Sequence, residues 1–311
     1  MNIDLTDQII VICGPTASGK SSLAVELAKL LEAEIVSADS MQIYRELDIG
    51  TAKVSSETQS VIRHHMIDII DPDQTYSVAQ YSKEATAAIN QILEKGKRVI
   101  VCGGTGQYIN ALLDGLIFID TPINHEVRKE INQKITDDNR LIWYSGLNEI
   151  DPQAGDRISS NDIRRIRRFF EIYQTTGLTQ SQIYEKSHAK GPDFKFCAFY
   201  LYPDRQQLYK QINLRVEKMF TMGLVEEVKN ILIKYPFIRK AQSFQAIGYK
   251  ETVSYLDGKT DLSSIKQRIS QVTRNYAKRQ FTWFNAREDL NRINDFGNSN
   301  SLNQILKLLN L

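Results

Sequence analysis

The apolar positions of the first hundred residues follow two alternating rhythms. Gln8–Cys13 (QIIVIC) is a short continuous apolar run ending at Gly14, the pattern of a strand buried on both faces of a parallel sheet. Residues 21–32 follow with Leu23, Leu27, Leu30 and Leu31 at helical spacing. Residues 34–38 (EIVSA) predict a second strand and residues 77–93 a helix, closed by Lys95-Gly96-Lys97. Residues 98–102 (RVIVC) predict a third strand and residues 196–202 (FCAFYLY) a fourth. Strands alternating with helices predict an α/β domain, a parallel sheet flanked by helices on both faces.

Between Leu116 and about Pro192 that rhythm stops. The stretch is polar with helical periodicity and reads as an inserted helical subdomain. The expected organisation is a core of residues 1–115 and 195–311 interrupted by a helical insertion at 116–194. After Pro203 the pattern is mostly helical, broken at Gly223, Gly248 and Gly258. Residues 297–311 open with a Gly/Asn/Ser cluster that reads as a linker before one short terminal helix.

Composition narrows the class. Hydrophobic residues make up 42% and charged residues 24%, the balance of a soluble globular protein. Lys+Arg 39 nearly cancels Asp+Glu 37, so the net charge of +2 neither implies nor excludes a nucleic-acid partner, and local clustering decides. No apolar run approaches the roughly 18 residues of a membrane span. Met1-Asn2-Ile3-Asp4 lacks the basic start and apolar stretch of a signal peptide. Cys13, Cys102 and Cys197 are odd in number, sit in apolar runs and have no CxxC neighbour, which predicts reduced thiols and a cytoplasmic protein.

Candidate chemistry begins at Gly14-Pro15-Thr16-Ala17-Ser18-Gly19-Lys20-Ser21, which fits G-x-x-x-x-G-K-[ST] between a predicted strand and a predicted helix. The glycines let backbone N–H groups turn inward, and the helix adds the positive end of its dipole. Lys20 supplies a full charge, and the Ser21 hydroxyl is placed to ligate Mg²⁺. No acidic residue ends the 98–102 strand, which runs into Gly103-Gly104-Thr105-Gly106 instead. That favours a transferase of kinase-like architecture over a motor or switch. Asp39 and Ser40 follow the second strand, so Asp39 is expected beside the loop, as a base or metal ligand or as a cap of the next turn. Arg215 falls within the apolar stripe Leu208, Ile212, Val216, Met219, and either meets a buried anion or snorkels outward.

Two basic stretches remain. In residues 161–173 (NDIRRIRRFFEIY), Arg164, Arg165 and Arg168 share one side with Arg167 beside them, opposite Ile166, Phe169, Phe170 and Tyr173. Such a face is either solvated or set against a phosphate backbone. The second runs through Lys266, Arg268, Arg274, Lys278 and Arg279, with Ile265, Ile269, Val272, Tyr276 and Trp283 expected as core. His64-His65 lacks acidic or cysteine partners at ligand spacing, so no metal site is expected there.

The constellation resembles the tRNA dimethylallyltransferase (isopentenyl-tRNA transferase) family. The resembling segments are GPTASGKSSLA at 14–24, SADSMQIYRELDIGTAK at 37–53, HHMIDIIDP at 64–72 and SVAQY at 77–81. GGTGQYINAL at 103–112, DPQAGDRISSNDIRRIRRFFEIYQTTG at 151–177, LYKQINLRVEKMFTMGLVEEV at 208–228, QAIGYKE at 245–251 and YAKRQFTWF at 276–284 continue the series. They run in order over nearly the whole chain. The resemblance implies a P-loop NTPase-like, kinase-like sheet and transfer of a dimethylallyl group from dimethylallyl diphosphate to N6 of adenosine 37 in tRNA, releasing diphosphate.

It further implies that Gly14, Thr16, Ala17, Ser18, Gly19, Lys20 and Ser21 bind the diphosphate with Mg²⁺, that Arg215 neutralises the departing charge, and that Asp39 takes the N6 proton with Thr105 orienting it. Asp39, Ser40, Met41, Gln42, Thr105, Arg164, Arg165, Ile166, Arg167 and Arg168 are implied at the tRNA anticodon stem-loop. A cytoplasmic monomer of bacterial type, without a zinc-finger extension, is expected. Gln107 stands where the family usually has leucine, and Ser159-Ser160 where it has histidine-proline. Rival readings are an adenylate isopentenyltransferase, a P-loop nucleoside or metabolite kinase, and a nucleotide-dependent RNA-binding module.

Overall fold

The computed structural model describes residues 8–118 and 124–311; the tetrapeptide Met1–Asp4 lies outside the described residues. Six strands form one sheet: β1 Gln8–Cys13, β2 Ala33–Ser37, β3 His64–His65, β4 Arg98–Gly103, β5 Lys195–Leu201 and β6 Asn291–Ile293. Their order is β3-β2-β4-β1-β5-β6, and every pairing is parallel. β1 leads to β2 across β4, whereas β5 lies on its other side, so the chain reverses direction beside β1. In a sheet of this kind the crevice at the carboxyl ends at that point is the usual ligand site.

Alternation along the strands splits the core in two. Ile9, Val11 and Cys13 of β1 face one layer together with Val99 and Val101 of β4. Helices on that face are α3 (Val78–Glu94) and α4 (Gly106–Leu113), then α10 (Arg205–Thr221), α11 (Leu224–Lys234), α12 (Tyr249–Leu256) and α13 (Leu262–Asn285). Ile10 and Ile12 face the other layer, where α1 (Lys20–Leu31) and α14 (Ser299–Leu308) supply Leu23, Leu27 and Ile305, joined by Leu309 just past the end of α14. A short α2 (Ser56–Val61) precedes β3. Because both faces are covered, the strands read as continuous apolar runs.

The chain divides into two compact units, residues 1–113 with 193–311, and residues 114–192. The second holds α5 (His125–Lys134), α6 (Arg140–Ile150), α7 (Pro152–Arg157), α8 (Ile163–Thr176) and α9 (Gln180–Ser187) around a core of its own that includes Ile131, Leu147, Ile158, Ile166 and Phe169.

Two strands lack the expected signal. β3 is the His64-His65 pair itself, an edge strand in which His65 Nε2 meets the buried Glu34 Oε2 at 2.7 Å, so the histidines serve the sheet. β6 is three residues long, too short for a periodic pattern. The Gly/Asn/Ser cluster is not a free linker: Gly297 N donates to Ser18 O at 2.7 Å, docking the segment on the loop after β1. Cys13, Cys102 and Cys197 are free thiols. Among the described residues no helix is long and apolar enough to cross a membrane.

Candidate functional site

The loop between β1 and α1 takes its shape from left-handed positions at Ala17 (φ 62°) and Gly19 (φ 84°). A Cβ on Gly19 would stand 2.9 Å from the Gly297 carbonyl oxygen, so glycine is required there both for φ and for the docked C-terminal segment. Lys20 opens α1, and its Nζ donates to Pro15 O at 2.6 Å, which folds the ammonium back over the loop. Protein surrounds the ammonium on all sides but the cavity, and this burial lowers its pKa to about 8, with the like charge of Arg215 adding to the effect. Ser18 is fully buried, and its hydroxyl has no partner among the described residues.

Asp39 follows β2 and does two things at once. Its Oδ1 accepts from the N–H of Met41 at 2.9 Å and of Gln42 at 3.4 Å, capping the turn. Neither bond uses Oδ2, and the side chain lines the cavity above the loop. Thr105 ties the neighbouring loop to this turn: Ser40 N donates to Thr105 Oγ1 at 3.0 Å, and Thr105 N donates to Ala38 O at 3.1 Å. Gln42 is buried, its amide donating to Thr51 O and Ala52 O at 3.4 and 3.5 Å.

Arg215 reaches in from α10. Leu208, Ile212 and Val216 are buried as the stripe predicts, and Arg215 Nη1 donates to Thr16 Oγ1 at 3.2 Å. Of the two alternatives for this arginine, the inward one is observed. Burial lowers its pKa, and the charge of Asp39 opposes that shift.

Two adjoining cavities share Thr16, Asp39, Arg215 and Tyr276. The smaller, of about 60 Å³, is polar and includes Lys20, Ser21, Gln42 and Gly104 in its wall. The larger, of about 250 Å³, has an apolar wall of Ile212, Val216, Met219, Ile247 and Ile269, with Ser40 and Met41 at its polar side. A charged group and an apolar group of one ligand can therefore lie end to end, with Asp39 and Arg215 at the junction.

Four residues not expected at this site lie in or around it. Gln280 on α13, 5% exposed, accepts from Thr16 N at 2.8 Å and donates to Gly104 O at 2.8 Å, bracing the two rim loops. Tyr276, expected in the core, instead lines both cavities, together with Thr16, Asp39 and Arg215. Trp283, also expected as core, is 38% exposed, with Nε1 donating to Asn110 Oδ1 at 3.3 Å. Glu227 on α11 accepts from the N–H groups of Asp48, Ile49 and Gly50 at 3.2, 2.7 and 3.3 Å and from the Tyr249 hydroxyl at 2.6 Å. It thereby pins the segment whose Gly50 and Thr51 form a wall of the larger cavity. The resembling segments contain Gln280, Tyr276 and Glu227, but only tertiary packing assigns these side chains a place.

In the helical unit the α8 arginines separate. Arg164 and Arg165 are exposed, Arg165 Nε lying 3.4 Å from Asp162 Oδ2. Arg167 donates through Nε and Nη2 to Ile135 O at 2.9 and 2.5 Å, and Arg168 pairs with the buried Glu171 at 2.9 Å, which Arg128 also meets. Ile166, expected with the arginines at the RNA, is fully buried in this unit's core and offers no side-chain surface.

Residues 42–287 match the family model described as IPP transferase. The chain belongs to that family. It is 42% identical to the tRNA dimethylallyltransferase of Halothermothrix orenii over 92% of this chain and 87% of the relative. It is 46% identical to that of Caldanaerobacter subterraneus subsp. tengcongensis over 90% and 89%. The full-length tRNA isopentenylpyrophosphate transferase of Bacillus halodurans superposes with a TM-score of 0.71 at 35% identity, covering 98% of this chain and 96% of that one. A eukaryotic dimethylallyltransferase described as acting on tRNA gives 0.77 at 28% identity, over 95% and 75%.

The resemblance to the IPP transferases implies a divalent ion at this site. Mg²⁺ takes hard oxygen ligands, usually one or two from protein with the rest from water and phosphate. Ser21 and Asp39 offer a hydroxyl and a carboxylate to one cavity, which fits. Among the described residues no group of three or more His, Cys, Asp and Glu could cage a metal, so a substrate phosphate would have to share it.

Proposed function

We propose that this IPP transferase moves a dimethylallyl group from dimethylallyl diphosphate to N6 of adenosine 37 in the anticodon stem-loop of tRNA. The observation that carries the reading is the junction of Asp39 and Arg215 between a cationic pocket and an apolar chamber. The diphosphate lies on the backbone of Gly14, Thr16, Ala17, Ser18 and Gly19, against Lys20 and Arg215. The dimethylallyl carbons meet the apolar wall. As N6 bonds to the allylic C1, the C1–O bond to the diphosphate breaks, and the pair of electrons leaves on that oxygen. Lys20 and Arg215, already fixed by Pro15 O and Thr16 Oγ1, meet the developing charge without reorganising. Asp39 accepts the N6 proton through the oxygen its turn does not use, and Thr105 holds the turn in place. Ser21 would hold Mg²⁺ with the diphosphate and water as its other ligands, and the ion's chemistry is to neutralise charge on the leaving group.

The base must leave the stem-loop stack to reach the chamber, at a cost of a few kcal/mol. Arg164 and Arg165 are the exposed α8 arginines and meet phosphates, Arg165 from its exposed ion pair with Asp162. The test offers AMP, unmodified tRNA and ATP separately, with dimethylallyl diphosphate present. Prenylation of tRNA without ATP consumption is expected; robust prenylation of AMP alone, or phosphate transfer from ATP, overturns the reading.

A further inference from the structure

Beside the apolar chamber lies a further cavity, of about 610 Å³, that the proposed reaction does not use. The two share Arg215 and Met219, one turn apart on α10. The chain after β2 supplies the other side of the partition. Gly50 and Thr51 line the chamber, whereas Ile49, Ala52 and Val54 line the further cavity. Hydrogen bonds fix this partition at every point but one. Glu227 accepts from the N–H groups of Ile49 and Gly50, and Arg215 donates to Thr16 Oγ1. Met219 is held by packing alone, an unbranched side chain half-buried against the core layer. The buried cation of the further cavity is already satisfied. Lys53 Nζ donates to Tyr44 O at 2.8 Å and to Asp48 and Asp68 at 2.6 and 2.5 Å. Ile49, Ala52 and Val54, with Met222 57% exposed at the rim, offer the remaining wall to hydrocarbon.

We infer that Met219 sets the length of the prenyl chain. It closes the chamber after one isoprene unit, and the cavity behind it is the space a second unit of a ten-carbon allylic diphosphate would need. The inference rests on the dimethylallyl reading above. With the diphosphate at Lys20 and Arg215, the hydrocarbon runs along α10 from Arg215 toward Met219. Four residues at 1.5 Å place the two about 6 Å apart along the helix, room for a five-carbon chain and not for a ten-carbon one. The bonds made and broken are the same for both chains: N6 bonds to C1, the C1–O bond breaks with its electrons on the diphosphate, and the N6 proton passes to Asp39. Discrimination therefore falls to the wall, where a chain too long must displace a packed side chain.

The test offers dimethylallyl diphosphate and geranyl diphosphate to the full-length protein with an unmodified tRNA transcript, and reads the product nucleoside by mass. The unsubstituted protein is expected to transfer the five-carbon group in strong preference. Met219→Ala should shift the ratio of kcat/KM toward the geranyl substrate by about 10–100-fold, the worth of added room in an apolar pocket. Met219→Val, a smaller truncation, should shift it in the same direction and replaces the alanine variant if that one does not fold. Val216→Ala takes bulk from the chamber wall away from the further cavity and should leave the ratio where it is. Geranyl transfer by the unsubstituted protein as efficient as dimethylallyl transfer overturns the inference. So does an unshifted ratio in the Met219 variants, or an equal shift in Val216→Ala. Failure of the unsubstituted protein to prenylate tRNA from dimethylallyl diphosphate would instead overturn the function on which it rests.

Discussion

The cations at the sheet rim and those on α8 are handled in opposite ways. At the rim, Lys20 donates to a carbonyl and Arg215 to a hydroxyl, so each is fixed in place while its charge remains available. On α8, Arg168 shares the buried Glu171 with Arg128, and Arg167 is turned onto Ile135 O at the end of α5. A neutral partner positions a cation for an anion yet to arrive; a buried carboxylate or a helix-end carbonyl employs it in the fold. One arginine on an apolar stripe thus says more about a ligand than four on a polar helix.

The largest expected effect lies at the rim and separates the two roles of Asp39. Asp39→Asn keeps an oxygen for the N–H groups of Met41 and Gln42 but removes the basic carboxylate. Single-turnover prenylation should slow by about 10²–10⁴-fold, as for a lost general base, with tRNA affinity unchanged. If the asparagine variant keeps most of the rate and Asp39→Ala does not, the residue serves the turn alone.

Lys20 comes next. Lys20→Met should raise KM for dimethylallyl diphosphate about a hundredfold, on the order of 2–3 kcal/mol for a charge-assisted contact. The sign of its pH dependence follows from a pKa lowered to about 8 by burial. An arriving diphosphate favours the charged form, so the complex holds the proton to higher pH than the free site does. Affinity is therefore complete below about pH 8 and falls about tenfold per unit above it. Lys20→Arg should flatten the profile, since arginine stays protonated throughout; an unchanged profile would assign the titration to another group.

How much of this was legible follows the range of the interactions involved. β1, the phosphate loop and α1 are contiguous, so their hydrophobic rhythm and glycines specify them locally, with ends displaced by about a residue. Asp39 and the 103–106 loop were legible because parallel strands deliver their carboxyl ends to one rim. Gln280 was not, because its bonds to Thr16 and Gly104 span 264 and 176 residues and periodicity marks it only as a helix position. Tyr276 read as core for the same reason: a face turned toward a cavity and one turned toward packed side chains share a single pattern, and Trp283 lies at the exposed edge of that face. Burial of the partner decided which α8 arginines stay exposed, and Glu171 looked from sequence like one flanking acid.

Glu227 tests whether distant fixing of the rim matters. Glu227→Gln replaces one acceptor oxygen with a donor, set either against the N–H groups of Asp48 and Ile49, which Oε2 now accepts, or against Gly50 N–H and the Tyr249 hydroxyl, which Oε1 accepts. The 48–51 segment should loosen, lowering kcat about tenfold while KM for dimethylallyl diphosphate changes less than twofold, because no phosphate contact is touched. The neutral–neutral bonds left to glutamine are about half as strong as the charge-assisted ones. A rise in KM with kcat intact would show that the segment holds the diphosphate and not the reacting geometry.

The smallest effect separates the α8 arginines from one another. Arg164→Gln with Arg165→Gln should weaken tRNA binding a few-fold and lower its salt slope by about 1.4–1.8, without moving the melting temperature, since both side chains are exposed. Arg167→Gln should do the reverse. It loses the paired bonds to Ile135 O, the residue that ends α5, and should destabilise the helical unit by about 1–3 kcal/mol, seen in thermal unfolding. Its salt slope for tRNA should match that of the unsubstituted protein wherever the unit remains folded. If both variants flatten the slope equally, Arg167 leaves Ile135 O when RNA arrives, and cations held by neutral partners form one class in both regions of the molecule. If only the exposed pair does, a helix-end carbonyl holds a cation as firmly as a carboxylate, and exposure is what marks an RNA contact.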